Sequence, residues 1–250
     1  MAVAVREILA KSVLTRSRIP GEDYCVNPYV GCAHACRYCY ASFMKRFTGH
    51  AEPWGSFVDA RVNAPDVLER ELGKARPGTV MLSSVTDAYQ PLEGRFRLAR
   101  RCLELLLRHG FSVDILTKSP LVLRDLDLLR GAEGVSVGLT VATDDDRVRR
   151  VFEPGASPIG ARLQALRTLR EAGVPTYAFV GPLLPMDPER LADALGCLAD
   201  RVYVDRMNYA QKTVGLYRRL GFQQWLEPGF LAGVEERLVR GLPPGAVLRV

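Results

Sequence analysis

The sequence lacks any apolar run of about 18 or more residues, the minimum for a helix that crosses a bilayer. Its opening stretch, MAVAVREILAKSVLTRSRIP, has a charge already at Arg6 and no apolar segment of the kind that a secretory signal needs. We therefore expect a protein that has no contact with a membrane and is located in the cytoplasm.

Cysteine is scarce and unevenly placed, with six residues in a chain of 250. In a cytoplasmic protein this number does not indicate a disulfide framework. Cys102 and Cys197 lie in apolar helical stretches and are expected in the core, whereas the role of Cys25 stays open. The other three cysteines lie close together and predict one metal site: Cys32, Cys36 and Cys39. No second group of cysteines in the sequence could hold an auxiliary iron–sulfur centre.

Acidic residues are outnumbered by basic ones, which gives a formal net charge of +6. This excess is compatible with a polyanionic partner. Many of the arginines, however, lie in amphipathic helical stretches, where they are typical of a solvated face. With 48% hydrophobic and 25% charged residues, the composition is that of an ordinary globular protein.

Short apolar runs alternate with amphipathic stretches after residue 78. The runs are apolar on both faces, as in strands of a parallel sheet covered by helices. We predict strands at 79–84, 112–118, 135–141, 176–182 and 201–207, and helices at about 94–109, 121–130, 158–172 and 188–199.

With one more strand before the cysteines, these repeats make about six strand–helix units, fewer than the eight of a closed barrel. The predicted fold is α/β, an incomplete (β/α)6 barrel with a parallel sheet. We expect one domain over 1–250, with a core at about 23–207 and a helical tail at about 208–250. The tail ends in an apolar run, AVLRV, that suits an edge strand. The irregular segment 48–62 suits a flap or an edge.

The stretch NPYVGCAHACRYCYASFMKRF carries the chemistry. Thiolates are the preferred ligands of iron–sulfur clusters, and three at spacings of four and three can converge on one cluster. A 4Fe–4S cube held by three cysteines keeps one iron open to a ligand, as a catalytic metal site does. Gly31 relaxes the backbone that enters this loop, and ASFMKRF is predicted as a helix.

Two other interpretations of the cysteine loop stay open. A zinc site would need a fourth ligand, for which His34 and His50 are candidates, although the usual two separated ligand pairs are absent. Cys36 and Cys39 also form a CxxC pair, although the thioredoxin-like context of a redox pair is missing. The spacing favours an iron–sulfur cluster.

Together with this loop, five further blocks make the chain similar to the radical SAM (S-adenosylmethionine) superfamily, within it to the spore photoproduct lyase-like branch. The resemblance covers about 23–207. It implies a 4Fe–4S cluster on Cys32, Cys36 and Cys39 that binds SAM and cleaves it to methionine and a 5′-deoxyadenosyl radical, which abstracts hydrogen from a substrate. It also implies an external electron donor, flavodoxin or ferredoxin. The blocks are SSVTDAYQPLE, LTKSP, GLT, FEPGASP and VGPLLP.

The resemblance also implies residues that bind SAM, each with a structural alternative. Lys118 would pair with the SAM carboxylate or lie exposed in a loop. Thr140 would contact SAM or pack in the core, and Gly181 would approach the adenine or turn the chain. Glu153 belongs to a block that suits a turn backed by Arg162. Four residues follow the second strand, and they would either bind the polar head of SAM or cap the strand and the turn after it: Ser83, Ser84, Thr86 and Asp87.

Tyr40 and Ser84 are the remaining catalytic candidates. Tyr40 matches a tyrosine linked to radical relay in the lyase branch, with packing beside the cluster as the alternative. Ser84 stands where that branch has a cysteine that donates a hydrogen atom. Because an alcohol O–H bond is far stronger than a thiol S–H bond, we do not expect photoproduct repair by the same relay, and we expect a different substrate.

The family likeness and the net charge favour a nucleic-acid substrate weakly, over a small molecule or a peptide. Aromatic candidates for base stacking are scattered, at Trp54, Tyr89 and Tyr209. The alternatives to a radical enzyme are a zinc or iron–sulfur module that acts as a redox sensor, and a nucleic-acid-binding protein stapled by its cluster. The last strand block offers candidates for the substrate pocket: Tyr203, Asp205, Arg206 and Asn208.

Overall fold

The computed structural model describes residues 3–207 and 210–249, and Asn208 and Tyr209 therefore lie outside the described residues. Within these ranges the chain forms eleven strands. They are β1 (Ala4–Ile8), β2 (Leu14–Arg16), β3 (Tyr24–Val26), β4 (Tyr29–Val30), β5 (Phe57–Arg61), β6 (Thr79–Leu82), β7 (Ser112–Thr117), β8 (Val135–Thr140), β9 (Thr176–Val180), β10 (Arg201–Val204) and β11 (Val247–Arg249).

The described helices alternate with the later strands. They are α1 (Ala64–Leu72), α2 (Glu93–Phe96), α3 (Leu98–Arg108), α4 (Leu126–Leu129), α5 (Asp146–Phe152), α6 (Ile159–Glu171), α7 (Pro188–Leu195), α8 (Val214–Arg219) and α9 (Pro228–Gly241). Short 3-10 helices cover Tyr40–Phe47, Pro120–Asp125, Ala210–Lys212 and Gln223–Leu226. In the described part of the chain, no helix is long and apolar enough to cross a membrane.

The main sheet has the strand order β2-β3-β6-β7-β8-β9-β10-β11. Every neighbouring pair from β3 to β11 is parallel, and only β2 pairs antiparallel to β3. The end strands β2 and β11 do not pair with each other, so this α/β sheet forms an incomplete barrel, as predicted. A second, three-stranded sheet has the order β1-β5-β4.

Alternation along the strands separates the core from the lumen of the barrel. In β7, Val113 and Ile115 are buried in the same cluster as Cys102 and Leu106 of α3. Leu116 points to the other side and lines a cavity. Each fully buried Leu or Ile contributes about 1.5–3 kcal/mol to folding, so the helix-covered face stabilises the sheet while the lumen remains available for polar groups.

The predicted strand–helix repeats are confirmed, with ends that shift by a few residues. The helix expected at 94–109 is divided into α2 and α3 by Arg97, which has a left-handed backbone with φ of 52°. Pro120–Asp125 forms a 3-10 helix before the short α4, where one helix was expected. The edge strand expected in AVLRV is β11.

Other features were missed or wrong. The sequence patterns did not predict β1, β2, β4 or α1, and the irregular segment 48–62 contains β5. Cys102 is buried in the core as expected, but Cys197 is exposed. The reason is that α7 ends at Leu195, so Cys197 lies beyond the helix and outside its apolar face.

Candidate active site

One cavity of about 500 Å³ opens at the carboxyl ends of the parallel strands, where α/β folds bind ligands. The structure brings to its wall the residues proposed from the sequence for the cluster, for SAM and for radical chemistry: Cys32, Cys36, Cys39, Tyr40, Ser83, Ser84, Thr86, Asp87, Lys118, Thr140 and Gly181. Of the candidates for the substrate pocket, Asp205 and Arg206 also line the cavity, whereas Tyr203 packs against Tyr177, with ring centroids 5.2 Å apart.

The cysteine loop is held from one side by polar side chains that follow β6. Gln90 is fully buried, accepts a hydrogen bond from the Ala33 N–H at 2.9 Å and donates to the Gly31 carbonyl. The Thr86 hydroxyl donates to the same carbonyl at 2.6 Å. Gly31 has a φ of +86°, and a Cβ there would lie 2.4 Å from the Phe57 carbonyl oxygen, so glycine is required.

A buried carboxylate connects the same loop to β7. Asp87 accepts hydrogen bonds from the Thr117 hydroxyl at 2.6 Å and the Lys118 N–H at 2.9 Å. His34 Nε2 lies 3.1 Å from this carboxylate. Burial alone would raise the pKa of Asp87, but the charge of His34 and these hydrogen bonds lower the pKa well below its ordinary value of 3.8. Asp87 therefore anchors the loop through His34, and it also accepts a hydrogen bond from the Tyr89 N–H at 2.9 Å in the turn that follows.

The opposite side of the loop is held by the FEPGASP turn. The Gly155 N–H donates to the His34 carbonyl at 2.9 Å, and the Arg37 N–H donates to the Phe152 carbonyl at 2.8 Å. A Cβ at Gly155 would lie 2.1 Å from the Ala33 carbonyl oxygen. The backbones of the loop and the turn thus approach as closely as only glycine permits.

Neither histidine near the loop has a free ring nitrogen. His34 Nδ1 lies 3.2 Å from the Gly155 carbonyl, and His34 Nε2 faces Asp87. His50 contacts the Glu52 carboxylate through Nδ1 and the Asp59 carboxylate through Nε2, at 3.0 and 2.9 Å. Across residues 3–207 and 210–249, no three His, Cys, Asp or Glu side chains have the geometry of a single metal ion's ligands.

A buried ionic network lies next to Cys36. Arg162 and Glu153 are both fully buried and form an ion pair at 2.5 Å. Arg162 also donates to the Thr140 carbonyl at 2.9 Å, which fixes the guanidinium against the sheet. The Tyr38 hydroxyl donates to Glu153, and the Lys118 ammonium lies 3.9 Å from the same carboxylate. Glu153 was expected in a structural turn, and it also forms the centre of this buried ionic network.

The charge states in this network follow from the partners. Burial opposes the charge on Glu153, but Arg162 and Lys118 outweigh it and lower the pKa of Glu153 below 4.5. Burial likewise opposes the charge on Lys118, but Cys36 and Glu153 raise the pKa of Lys118 above its ordinary value. Lys118 is therefore a permanent cation on the cavity wall.

The thiols of Cys32 and Cys36 are protonated when they hold no metal. Burial raises the pKa of Cys36 to about 12, against the opposing effect of the Lys118 charge, and burial also raises the pKa of Cys32. Because iron binds thiolate, cluster assembly must release these protons, and the cation beside Cys36 favours that release.

The residues present fit a ligand that has both an amino group and a carboxylate. Ser83 is buried, has a φ of +77°, and its hydroxyl has no hydrogen-bond partner within the described residues. A strained, unsatisfied hydroxyl on a cavity wall indicates a place where a ligand supplies the missing partner. Lys118 offers a cation to an acidic group in the same cavity.

The mouth of the cavity is formed by Tyr40 and Ser84. The Tyr40 hydroxyl donates to the Ser84 carbonyl, and Asn27 contacts the Ser84 hydroxyl at 3.4 Å. Gly181 forms part of the far wall, where a Cβ would collide with the ring of Phe179. The two residues considered for radical chemistry thus lie together, 44 positions apart in the chain.

An incomplete parallel barrel with a cavity at its carboxyl edge is the architecture of a ligand-binding α/β protein, and the three cysteines on the cavity wall are candidate ligands of an iron–sulfur cluster. The family model of the radical SAM superfamily matches residues 26–196. The chain belongs to this superfamily, whose members use a 4Fe–4S cluster and SAM.

Relatives of this chain cover most of its length. An uncharacterized protein of Methanocaldococcus jannaschii is 38% identical over 183 residues, covering 73% of this chain and 69% of its own. An uncharacterized protein of Mycobacterium tuberculosis is 35% identical over 213 residues, which cover 79% of this chain. The match spans 62% of the length of that relative.

Two solved structures share the fold. Spore photoproduct lyase complexed with dinucleoside spore photoproduct has a TM-score of 0.71 at 16% identity, covering 98% of this chain and 82% of the lyase. SuiB of Streptococcus suis bound to S-adenosylmethionine has a TM-score of 0.57 at 11% identity, covering 90% of this chain and 49% of SuiB.

Gly155→Ala should displace the cysteine loop, because the new Cβ would overlap the Ala33 carbonyl oxygen. We expect a loss of about 1–3 kcal/mol in unfolding free energy and a reduced iron content after reconstitution. Urea unfolding and iron analysis measure both. Gly160→Ala is the matched control, since a Cβ at this position in α6 meets nothing within 4 Å and should be neutral or stabilising. Wild-type stability and iron content in Gly155→Ala would contradict this account of the loop.

Arg162→Met should destabilise the fold by about 3–5 kcal/mol at pH 7, because it leaves the buried Glu153 carboxylate without its main partner. Glu153→Gln combined with Arg162→Met should lose less than Arg162→Met alone. The folded pKa of Glu153 is lowered, so the stabilisation is present above the ordinary value of 4.5 and is lost as the pH falls through the folded value.

The loss caused by Arg162→Met should therefore shrink as the pH falls below 4.5, as urea unfolding at each pH would measure. A double variant less stable than Arg162→Met would show that the ion pair is not the interaction removed.

Proposed function

We propose that this chain is a radical SAM enzyme that holds its cluster on Cys32, Cys36 and Cys39 and abstracts a hydrogen atom from a substrate bound at the cavity mouth. The observation that carries the proposal is that three thiols, a partly buried lysine and an unsatisfied serine hydroxyl line one cavity. Membership of the superfamily supports the cofactors. The cysteine ligands and the reaction are part of the proposal.

The chain's own groups prepare the cavity for the cofactors. When bound, the reduced cluster and SAM together supply methionine and a 5′-deoxyadenosyl radical. Lys118 would bind the SAM carboxylate, because it is a partly buried cation on the cavity wall. The Ser83 hydroxyl would accept a hydrogen bond from the SAM ammonium group, and Thr140 and Gly181 would contact the nucleoside end. Thr86 and Asp87 act through the loop that they anchor.

The groups at the mouth face the substrate. Tyr40 is 46% exposed and Ser84 is next to it. A phenolic O–H bond is weaker than an alcohol O–H bond, so Tyr40 is the better hydrogen-atom donor of the two. We assign Ser84 to holding the tyrosine through its carbonyl and Tyr40 to radical relay.

The electron that begins the reaction comes from outside the chain in this proposal. The cysteines outside the loop do not form a second cluster site, since Cys25 and Cys102 are buried in separate elements and Cys197 is exposed. A flavodoxin or ferredoxin is the class of donor that we propose.

Reconstituted wild-type protein should form 5′-deoxyadenosine from SAM under dithionite, measured by chromatography under anaerobic conditions. Cys36→Ala should lose cluster absorbance and 5′-deoxyadenosine together, because the cluster loses one of three ligands. Cys197→Ala removes an exposed thiol outside the cavity and should match wild type. A fully loaded, reducible cluster that never cleaves SAM would refute the proposed activity.

Lys118→Met should weaken SAM binding roughly tenfold to a hundredfold, because it removes a charge-assisted contact in a buried site. Equilibrium dialysis with the oxidised, cluster-loaded protein measures the Kd without turnover. Lys74→Met, at an exposed position, is the control. An unchanged Kd for Lys118→Met, with cluster content preserved, would remove this lysine from the SAM site.

A further inference from the structure

The 3-10 helix that follows the cysteine loop presents large aromatic side chains to the surface. Tyr40, Phe43 and Phe47 are 46%, 42% and 67% exposed. Residues three apart in a 3-10 helix lie in one row, so Tyr40, Phe43 and Arg46 follow one another along the helix. Phe47 comes next to Arg46. Grouped aromatic residues with this exposure mark an interaction surface.

Arg46 joins these rings to a positive charge. Its guanidinium carbon lies 4.7 Å from the ring centroid of Phe47 and 5.5 Å from that of Phe43. We call Tyr40, Phe43, Arg46 and Phe47 the aromatic–basic face. These cation–π contacts keep the positive charge of Arg46 close to both aromatic rings.

The surroundings of the face are also cationic. No Asp or Glu occurs in the sequence between Asp23 and Glu52. Lys45 donates to the Ala51 carbonyl at 3.1 Å, and Lys212 donates to the Ser42 hydroxyl at 2.7 Å. A shallow depression beside the face is lined by Ser42, Phe43, Lys45, Arg46, Gly49, His50 and Ala51.

The aromatic–basic face continues into the candidate active site. Tyr40 belongs to both, since it lines the cavity and begins the row of exposed side chains. A ligand that lies along the face therefore has its end at the cavity mouth, beside Ser84.

We propose that the aromatic–basic face binds a single strand of nucleic acid and presents one nucleotide to the cavity. The inference rests on the proposed function, because it names the substrate class of that cavity. Unpaired bases stack on aromatic rings, and phosphates pair with Lys and Arg in the same groove. In a duplex the base faces are already stacked. An acidic protein would use the cations and would gain little from the rings.

The test measures binding of a fluorescent oligothymidylate, about 12 nucleotides long, to the full, cluster-loaded chain by anisotropy. The single strand should bind more tightly than the same strand in a duplex. Phe43→Leu with Phe47→Leu should weaken single-strand binding roughly fivefold to a hundredfold. Phe230→Leu is the control, at another exposed phenylalanine.

Salt dependence tests the cations separately. Arg46→Gln should reduce the slope of log K against log salt by about 0.7, the value for one phosphate of a single strand. Arg101→Gln, on the outer face of α3, should leave the slope unchanged. Equal affinity for strand and duplex, a Leu double variant that binds like wild type, or no binding would overturn the inference.

The same preparation is assayed for 5′-deoxyadenosine, so that the two proposals can fail separately. SAM cleavage without oligonucleotide binding overturns the inference about the face and leaves the enzymatic proposal in place. Oligonucleotide binding without SAM cleavage supports the face and refutes the enzymatic proposal.

Discussion

Buried polar contacts hold the cysteine loop, and the rest of the site depends on them. The loop contains few apolar side chains, so packing alone does not fix the positions of its thiols. Its backbone is instead held by Gln90 and Thr86 on one side and by the Gly155 turn on the other, while Asp87 holds His34 between them. Buried hydrogen bonds of this kind specify one geometry, because each unsatisfied partner would cost about 1–3 kcal/mol.

The same low-dielectric setting explains the charges beside the loop. In the proposed cluster site, three thiolates would concentrate negative charge, and the adjacent cations Lys118 and Arg162 would offset it. Two cations without a counterion would repel each other, and Glu153 lies between them as the shared partner. Glu153 therefore favours the charged form of Lys118 against the opposing charge of Arg162, and it holds the ammonium group at the cavity wall.

Local sequence patterns predicted the features of the fold that depend on neighbouring residues. The strand–helix repeats follow from periodicity, and the cysteine loop from spacing. The anchors of the loop were not predictable, because His34 and Gly155 are 121 positions apart and nothing local indicates their contact. The aromatic–basic face could be predicted from the sequence, since Tyr40, Phe43 and Phe47 are spaced by three and four residues. The predicted stacking residues were isolated aromatics instead, and one of them, Tyr89, is fully buried.

The C-terminal segment, expected to be a helical tail, packs against the cysteine loop. Tyr38, from within the cysteine loop, packs against a group of buried apolar side chains that includes Phe152, Tyr217 and Trp225. Lys212 donates to the Cys39 carbonyl at 3.0 Å. The segment thus contacts the loop both through its core and through its backbone. Because Tyr38 also donates to Glu153, any shift of the C-terminal helices moves the ionic network and the thiols together, which couples the packing of the tail to the chemistry of the cavity.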